Sequence, residues 1–217
     1  MSAAVDYPVS LAVEDFAPVL LTTWGVLLLR RIAARPPVVL GAAVLIGTGG
    51  FTKATAKLVA AAGGPDSELL RGLLFPLLTL GFAVLCLELV RTSVGLTPRW
   101  LAILAPSLTL VCAVGAIVAA DPLPMLVSTT VFATLTGIHL IGLSRARGDS
   151  LAAGLFGGQL LVFFILGPLA ARPDQTVALQ WAEQLCNTAA QAAFLVAAWR
   201  LPAATVAARP TDEELIR

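Results

Sequence analysis

LAILAPSLTLVCAVGAIVAA, residues 101–120, decides the fold. None of its positions carries a charge, and its apolar side chains come in unbroken runs, so the alternation of a barrel strand is absent. About 20 apolar residues cross the hydrocarbon of a bilayer as one helix. A helix also satisfies its own backbone N–H and C=O groups in lipid, which an open strand or loop cannot do.

Further windows of this kind lie on either side, at 9–29, 38–62, 70–90, 122–143, 151–171 and 177–199. The expectation is an all-α integral membrane protein of seven transmembrane helices, with residues 1–201 as a single domain and 202–217 as a short disordered tail. Composition agrees: 58% of the 217 residues are hydrophobic and 12% are charged, against about a quarter charged in soluble domains. A net charge of +1 with no basic tract excludes nucleic acid as a partner, because phosphate binding needs clustered cations on one face. The expected partner is the lipid bilayer. Residues 1–18 contain Asp6, Glu14 and Asp15 but no Lys or Arg, so the basic start of a cleavable signal is missing and the first helix should remain. Cys86, Cys112 and Cys186 fall in apolar runs with no second ligand nearby and read as small core residues.

The arginines orient the chain. All twelve lie in or beside the polar connectors. Arg30, Arg31 and Arg35 follow the first window, Arg91 and Arg99 the third, Arg145 and Arg147 the fifth, and Arg200, Arg209 and Arg217 the seventh. The alternate connectors hold Arg71 and Arg172 together with Asp66, Glu68, Asp121 and Asp174. Short cytoplasmic connectors concentrate Lys and Arg, so the amino terminus should be outside and the carboxy terminus in the cytoplasm of a cell-membrane protein. Asp15, Pro18, Leu20, Thr22 and Thr23 recur at the same spacing as Asp121, Pro124, Leu126, Ser128 and Thr129. Both sets enter from outside, as a repeat of three helices, a linker helix and three more would require. The remaining helices show no comparable match.

Unlike the arginines, both lysines lie inside an apolar window. A charge at the centre of a span costs about 2.5–3.5 kcal/mol. Lys53 falls ~3 residues beyond the midpoint of its window, or about 5 Å, too deep to reach the headgroups easily. Lys57, one turn further out, can snorkel. The seventh window carries Gln180, Glu183, Gln184, Asn187 and Gln191 within one arc. Such a stripe fits a water-accessible lining better than isolated interhelical hydrogen bonds. Asp15, Lys53, Lys57, Glu183, Gln184, Asn187 and Gln191 are therefore the expected ligand or ion pathway, with Glu183, then Asp15, as counter-ion to Lys53. Glu88 and His139, near the inner ends of their helices, form a secondary inner site. Gly47–Gly50, GTGG, is a candidate helix break at mid-membrane, and Gly154 and Gly158 have the spacing of a helix-packing motif.

The leading functional expectation is a small transporter or channel for an ion or a small polar solute, with Lys53 favouring an anionic one. A heptahelical sensor fits the same topology. A retinal protein is disfavoured because the seventh window has no lysine, although Lys53 could form a Schiff base. An intramembrane lipid-modifying enzyme is weaker still: there is no nucleophile motif, and one histidine with scattered acids makes no set of metal ligands. No cofactor or metal is expected.

Overall fold

A computed structural model describes residues 8–65, 67–170, 172 and 176–207. Every regular element among them is a helix: α1 (Val9–Glu14), α2 (Phe16–Leu29), α3 (Pro36–Ala61), α4 (Glu68–Gly72), α5 (Leu74–Val94), α6 (Arg99–Ala119), α7 (Leu123–Ala146), α8 (Ser150–Ala170) and α9 (Val177–Ala207). Among the described residues, six stretches are long and apolar enough to cross a membrane: Val9–Leu29, Pro36–Ala61, Glu68–Val94, Arg99–Ala119, Leu123–Ala146 and Ser150–Gly167. The chain thus has the make-up of a polytopic helical membrane protein. α9 is longer than any of them but carries the polar stripe. It runs through Ala207, past the expected start of the tail; residues 208–217, and Asp66 and Asp174 of the connectors, lie outside the described residues.

Two of the stretches are broken by proline. A proline has no N–H for the carbonyl four residues before it. Pro18 leaves the Glu14 carbonyl without its helical donor, and the chain breaks at Asp15 between α1 and α2. Pro76 does the same to the Gly72 carbonyl, and α4 gives way to α5 at Leu73. Both breaks lie at the end of the bundle opposite the arginine-rich connectors. At the arginine-rich end α5 stops at Gly95, whose φ of 81° is left-handed and whose N–H meets the Arg91 carbonyl at 2.8 Å.

Six helices form a closed ring in the order α2, α3, α5, α7, α8, α9 and back to α2, while α6 packs on the outside against α5 and α7. The main core fills the arginine-rich half of the ring. It draws Val26 and Leu29 from α2, Val39 and Ile46 from α3, Leu85 and Leu89 from α5, Leu140 from α7, Phe156 from α8, and Phe194 and Leu201 from α9. A smaller cluster of Ala83, Ala105 and Phe132 seats α6. The outer surface is apolar, with Leu20, Trp24, Val44, Ile103, Leu110, Ile117, Val127, Leu161 and Trp199 all exposed. Such a surface suits lipid and not water.

The glycine cluster packs and does not break. α3 is continuous through Gly47–Gly50. A Cβ on Gly47 would meet Thr23, one on Gly50 would stand 2.8 Å from Val19, both on α2, and one on Gly49 would stand 3.1 Å from the Leu74 carbonyl on α5. Two neighbouring helices therefore come close enough to hold α3 straight. Gly154 and Gly158 of α8, by contrast, have nothing within 4 Å, so their spacing serves no contact within the bundle. Cys86 and Cys112 are buried, but Cys186 is exposed; it lies on the outer face of α9 and not in the core.

Candidate functional site

Residues seven apart share a helix face, and on three helices such a series changes character along the bundle. On α3, Val39 and Ile46 are buried in the core and Lys53 continues the series. On α9, Leu201 and Phe194 are core and Asn187 follows; Ala198 leads to Gln191 and Gln184, and Ala197 and Ala190 to Glu183. On α2, Leu29 is core, Thr22 follows, and Asp15 completes the line at the helix break. The inward faces are apolar in the arginine-rich half and polar in the other. None of the polar members is fully buried.

Lys53 is the clearest case. It continues the series of core residues Val39 and Ile46 along α3, yet it is exposed. Its charged neighbours are Asp15 and Lys57. It forms no ion pair or hydrogen bond with any described residue.

The expected pairing of Lys53 with Glu183 or Asp15 is replaced by another. Lys57 Nζ lies 2.8 Å from Asp15 Oδ2, with the two side chains 32% and 13% exposed. Lys57 thus turns inward and does not snorkel. The α1–α2 break places Asp15 one turn further out than Lys53, level with Lys57.

The amide stripe of α9 meets the same break. Thr188 Oγ1 donates to Glu14 Oε1 at 2.8 Å, and Gln184 Nε2 points at the Glu14 carbonyl from 3.4 Å. This is the carbonyl that Pro18 deprives of a donor. Further in, the Thr22 hydroxyl lies 2.7 Å from the Pro18 carbonyl and 2.9 Å from Gln191 Oε1, while Gln191 Nε2 faces Asn187 Oδ1 at 3.4 Å. Gln184 is therefore joined to α1 and Gln191 to α2, Asn187 is tied only to Gln191 on its own helix, and Asp15 is joined to Lys57. Glu183 shares their face without a bond to Lys53.

Glu88 and His139, the expected inner pair, are bonded to different partners. Glu88 is buried, and its Oε1 accepts the Arg35 N–H at 2.6 Å. Thr92 Oγ1, one turn on, accepts the Ala34 N–H at 2.9 Å. The pair satisfies backbone donors where α3 begins, a position that also favours negative charge. His139 Nε2 lies 2.8 Å from Ser93 Oγ and 3.1 Å from the Leu89 carbonyl on another face of α5. Both side chains thus bridge neighbouring elements, Glu88 from α5 to the start of α3 and His139 from α7 to α5.

Sequence reasoning missed Asp149. Its Oδ1 accepts the Ala152 N–H at 2.9 Å at the start of α8, and Arg200 grips both carboxylate oxygens, Nε to Oδ2 at 3.1 Å and Nη2 to Oδ1 at 3.3 Å. The Ala152 N–H above all, with the Arg200 guanidinium, holds this carboxyl below its ordinary range. An Asp just ahead of an apolar run is a capping signal and could have flagged it.

Among the described residues no three His, Cys, Asp or Glu side chains converge as metal ligands. The chain matches no family model, and comparison with curated proteins and with solved structures finds no significant match in either.

Proposed function

We propose that the chain crosses a cell membrane seven times, amino terminus outside and carboxy terminus in the cytoplasm, as a small transporter or channel for an ion or small polar solute, preferably anionic. Support for α9 as the seventh span comes from its two faces. Its exposed residues include Leu185, Val196 and Trp199, while its amides and Glu183 turn inward, so lipid meets an apolar helix whose mean hydropathy is lowered by groups lipid never touches.

One observation carries the transport reading: the inward faces of α2, α3 and α9 become polar above the apolar core, with an accessible Lys53 among them that pairs with none of the described residues. A polar group facing lipid finds no partner, so a polar inward face that is not fully buried implies water or a solute between the helices. Lys53, Gln184, Asn187 and Gln191 line this path, Glu183 stands at its outer part, and the Asp15–Lys57 pair holds α1 and α3 in position.

Two experiments test it. Reporter fusions after residues 33, 95, 147 and 217 should behave as cytoplasmic, and cytoplasmic activity at residue 66 would overturn the topology. Purified protein in liposomes should pass halides or small carboxylates, with a loss of at least tenfold in Lys53→Met. If every such solute fails to cross, or the variant keeps full flux, the reading is wrong.

A further inference from the structure

We infer that Gln159 of α8 is a ligand-binding residue at the base of the polar path, and that the site takes a small carboxylate which also carries an uncharged hydrogen-bonding group, as a hydroxy acid does. The inference rests on the transport reading and adds to it a further helix and a substrate class.

Its helical neighbours place Gln159. Ala152, seven residues before it, and Phe156, three before it, are fully buried in the main core, and Leu155, four before it, packs against that core. The outward row of α8 is formed instead by Leu151, Gly154, Gly158, Leu161 and Ile165, all exposed. At 3.6 residues per turn Gln159 lies about 120° from the middle of that row. It is partly accessible, and it forms no hydrogen bond with any described residue. Hydrocarbon offers an amide no partner, so an accessible amide turned towards the bundle implies water or a solute beside it.

Contacts on either side fix its height. Asp149 and Arg200 meet at the arginine-rich end, and further from that end the rings of Phe156 and Phe194 lie 5.6 Å apart. α8 and α9 thus run antiparallel, and three residues beyond the two phenylalanines Gln159 comes level with Gln191. Gln191 Oε1 in turn accepts the Thr22 hydroxyl at 2.9 Å. Thr22, Gln191 and Gln159 therefore form one layer, from α2, α9 and α8, directly on top of the aromatic pair. None of the three ionises. The cation stands higher: a Cβ on Gly47 would lie 3.0 Å from Thr23 Oγ1, and Lys53, six residues on, is about 9 Å further from the arginine-rich end.

This vertical order selects a solute. Lys53 attracts a carboxylate from above, while the layer below supplies only uncharged donors and acceptors. A halide leaves the Gln159 amide without a partner, and a plain fatty acid sets a methyl group against it. A hydroxyl both donates and accepts, as the amide does. A second carboxylate would find no cation at the base. Because a polar group stripped of water and left unbonded costs more than a hydrogen bond gains, the amide layer discriminates against the plain acid.

Labelling tests the placement. In a Cys186→Ala background, with Cys86 and Cys112 buried, single cysteines replace Gln159, Asn187 and Leu161, and protein in lipid nanodiscs is treated with an anionic, water-soluble methanethiosulfonate. Gln159→Cys and Asn187→Cys should react about tenfold or more faster than Leu161→Cys, because a thiol facing hydrocarbon does not ionise. If Asn187→Cys reacts and Gln159→Cys is no faster than Leu161→Cys, the inference is overturned and the wet path stands. If neither reacts, the path itself is absent and the inference falls with it.

Binding tests the chemistry. Thermal stabilisation in detergent gives affinities for lactate and propionate, which differ by one hydroxyl. The unaltered protein should hold lactate about tenfold more tightly, the worth of one hydrogen bond. Gln159→Leu should erase that preference and leave propionate affinity in place, Gln159→Asn should restore part of it, and Lys53→Met should weaken both acids alike. Equal affinity of the unaltered protein for the two acids, or a preference that survives Gln159→Leu, would overturn the role of Gln159 and leave the anion path intact. Failure of both acids to bind would overturn the two together.

Discussion

Breaking the Asp15–Lys57 pair should cost stability in a way that its neighbour Lys53 does not. At 2.8 Å and an effective dielectric of about 20, the attraction is ~6 kcal/mol before the loss of hydration is subtracted. Removing one partner of a fully buried pair costs about 3–5 kcal/mol, and of an exposed pair about 0.2–1 kcal/mol. With the Asp15 side chain 13% exposed and that of Lys57 32%, this pair falls between, near ~2 kcal/mol. For a chain of this length each kcal/mol moves Tm by roughly 2–4 °C, so Asp15→Asn and Lys57→Met should each lower it by about 4–8 °C in detergent. The double variant should lose less than the sum, by about 1–2 kcal/mol, because neither charge is then stranded. Lys53→Met should change Tm by less than either. Additive losses, or a larger fall for Lys53→Met than for Lys57→Met, would show that the pair is misassigned and that Lys53 holds the carboxylate.

Gly81→Ala should destabilise by about 1–3 kcal/mol through overpacking against α3, whereas Gly154→Ala, with open space around it, should be neutral or stabilise by up to ~1 kcal/mol; thermal melts of the two variants compare them directly. Glu88→Ala should cost about 1–3 kcal/mol by leaving the Arg35 N–H unsatisfied, and Glu88→Gln, which keeps an acceptor, should recover most of it in the same melt. Asp149 has a depressed carboxyl pKa in the folded protein, so its contribution is complete above the unfolded value near ~3.9 and is lost as pH falls through the lower folded value. The Tm difference between wild type and Asp149→Asn should accordingly be constant near neutrality and close up below about pH 4; a gap unchanged in acid would show that the carboxylate charge plays no part.

The helices were legible because each apolar window carries its own evidence. LAILAPSLTLVCAVGAIVAA needs no partner to be read as a span, and α6 covers all but its last residue. The inward polar face was legible too, since the α9 amides declare their arc by spacing alone. What sequence could not give was relative height. Lys53 and Lys57 lie on one face a single turn apart, and only the break at Asp15 decides which of them meets a carboxylate. Pro18 foretold that break in principle, but prolines near helix starts are common enough to pass unnoticed. The glycines show the same limit from the other side. GTGG could have loosened α3 or admitted its neighbours, and the choice rests on Val19, Thr23 and Leu74, residues far away in the chain.

In the proposed transporter, the apolar layer formed by Leu29, Ile46, Leu89, Phe194 and Leu201 would also decide where a membrane voltage acts. An electrical potential drops across dry material and hardly at all across water. With water reaching Lys53, as the transport reading requires, the field is concentrated in the layer between that lysine and the arginine-rich end. An anion settling beside Lys53 then crosses little of the field, and its affinity should be nearly indifferent to voltage. Passage through the layer is where each charge exchanges about 2.3 kcal/mol per 100 mV with the membrane. On the transport reading, a thin hydrocarbon seal of this kind would make entry a chemical step and release an electrical one.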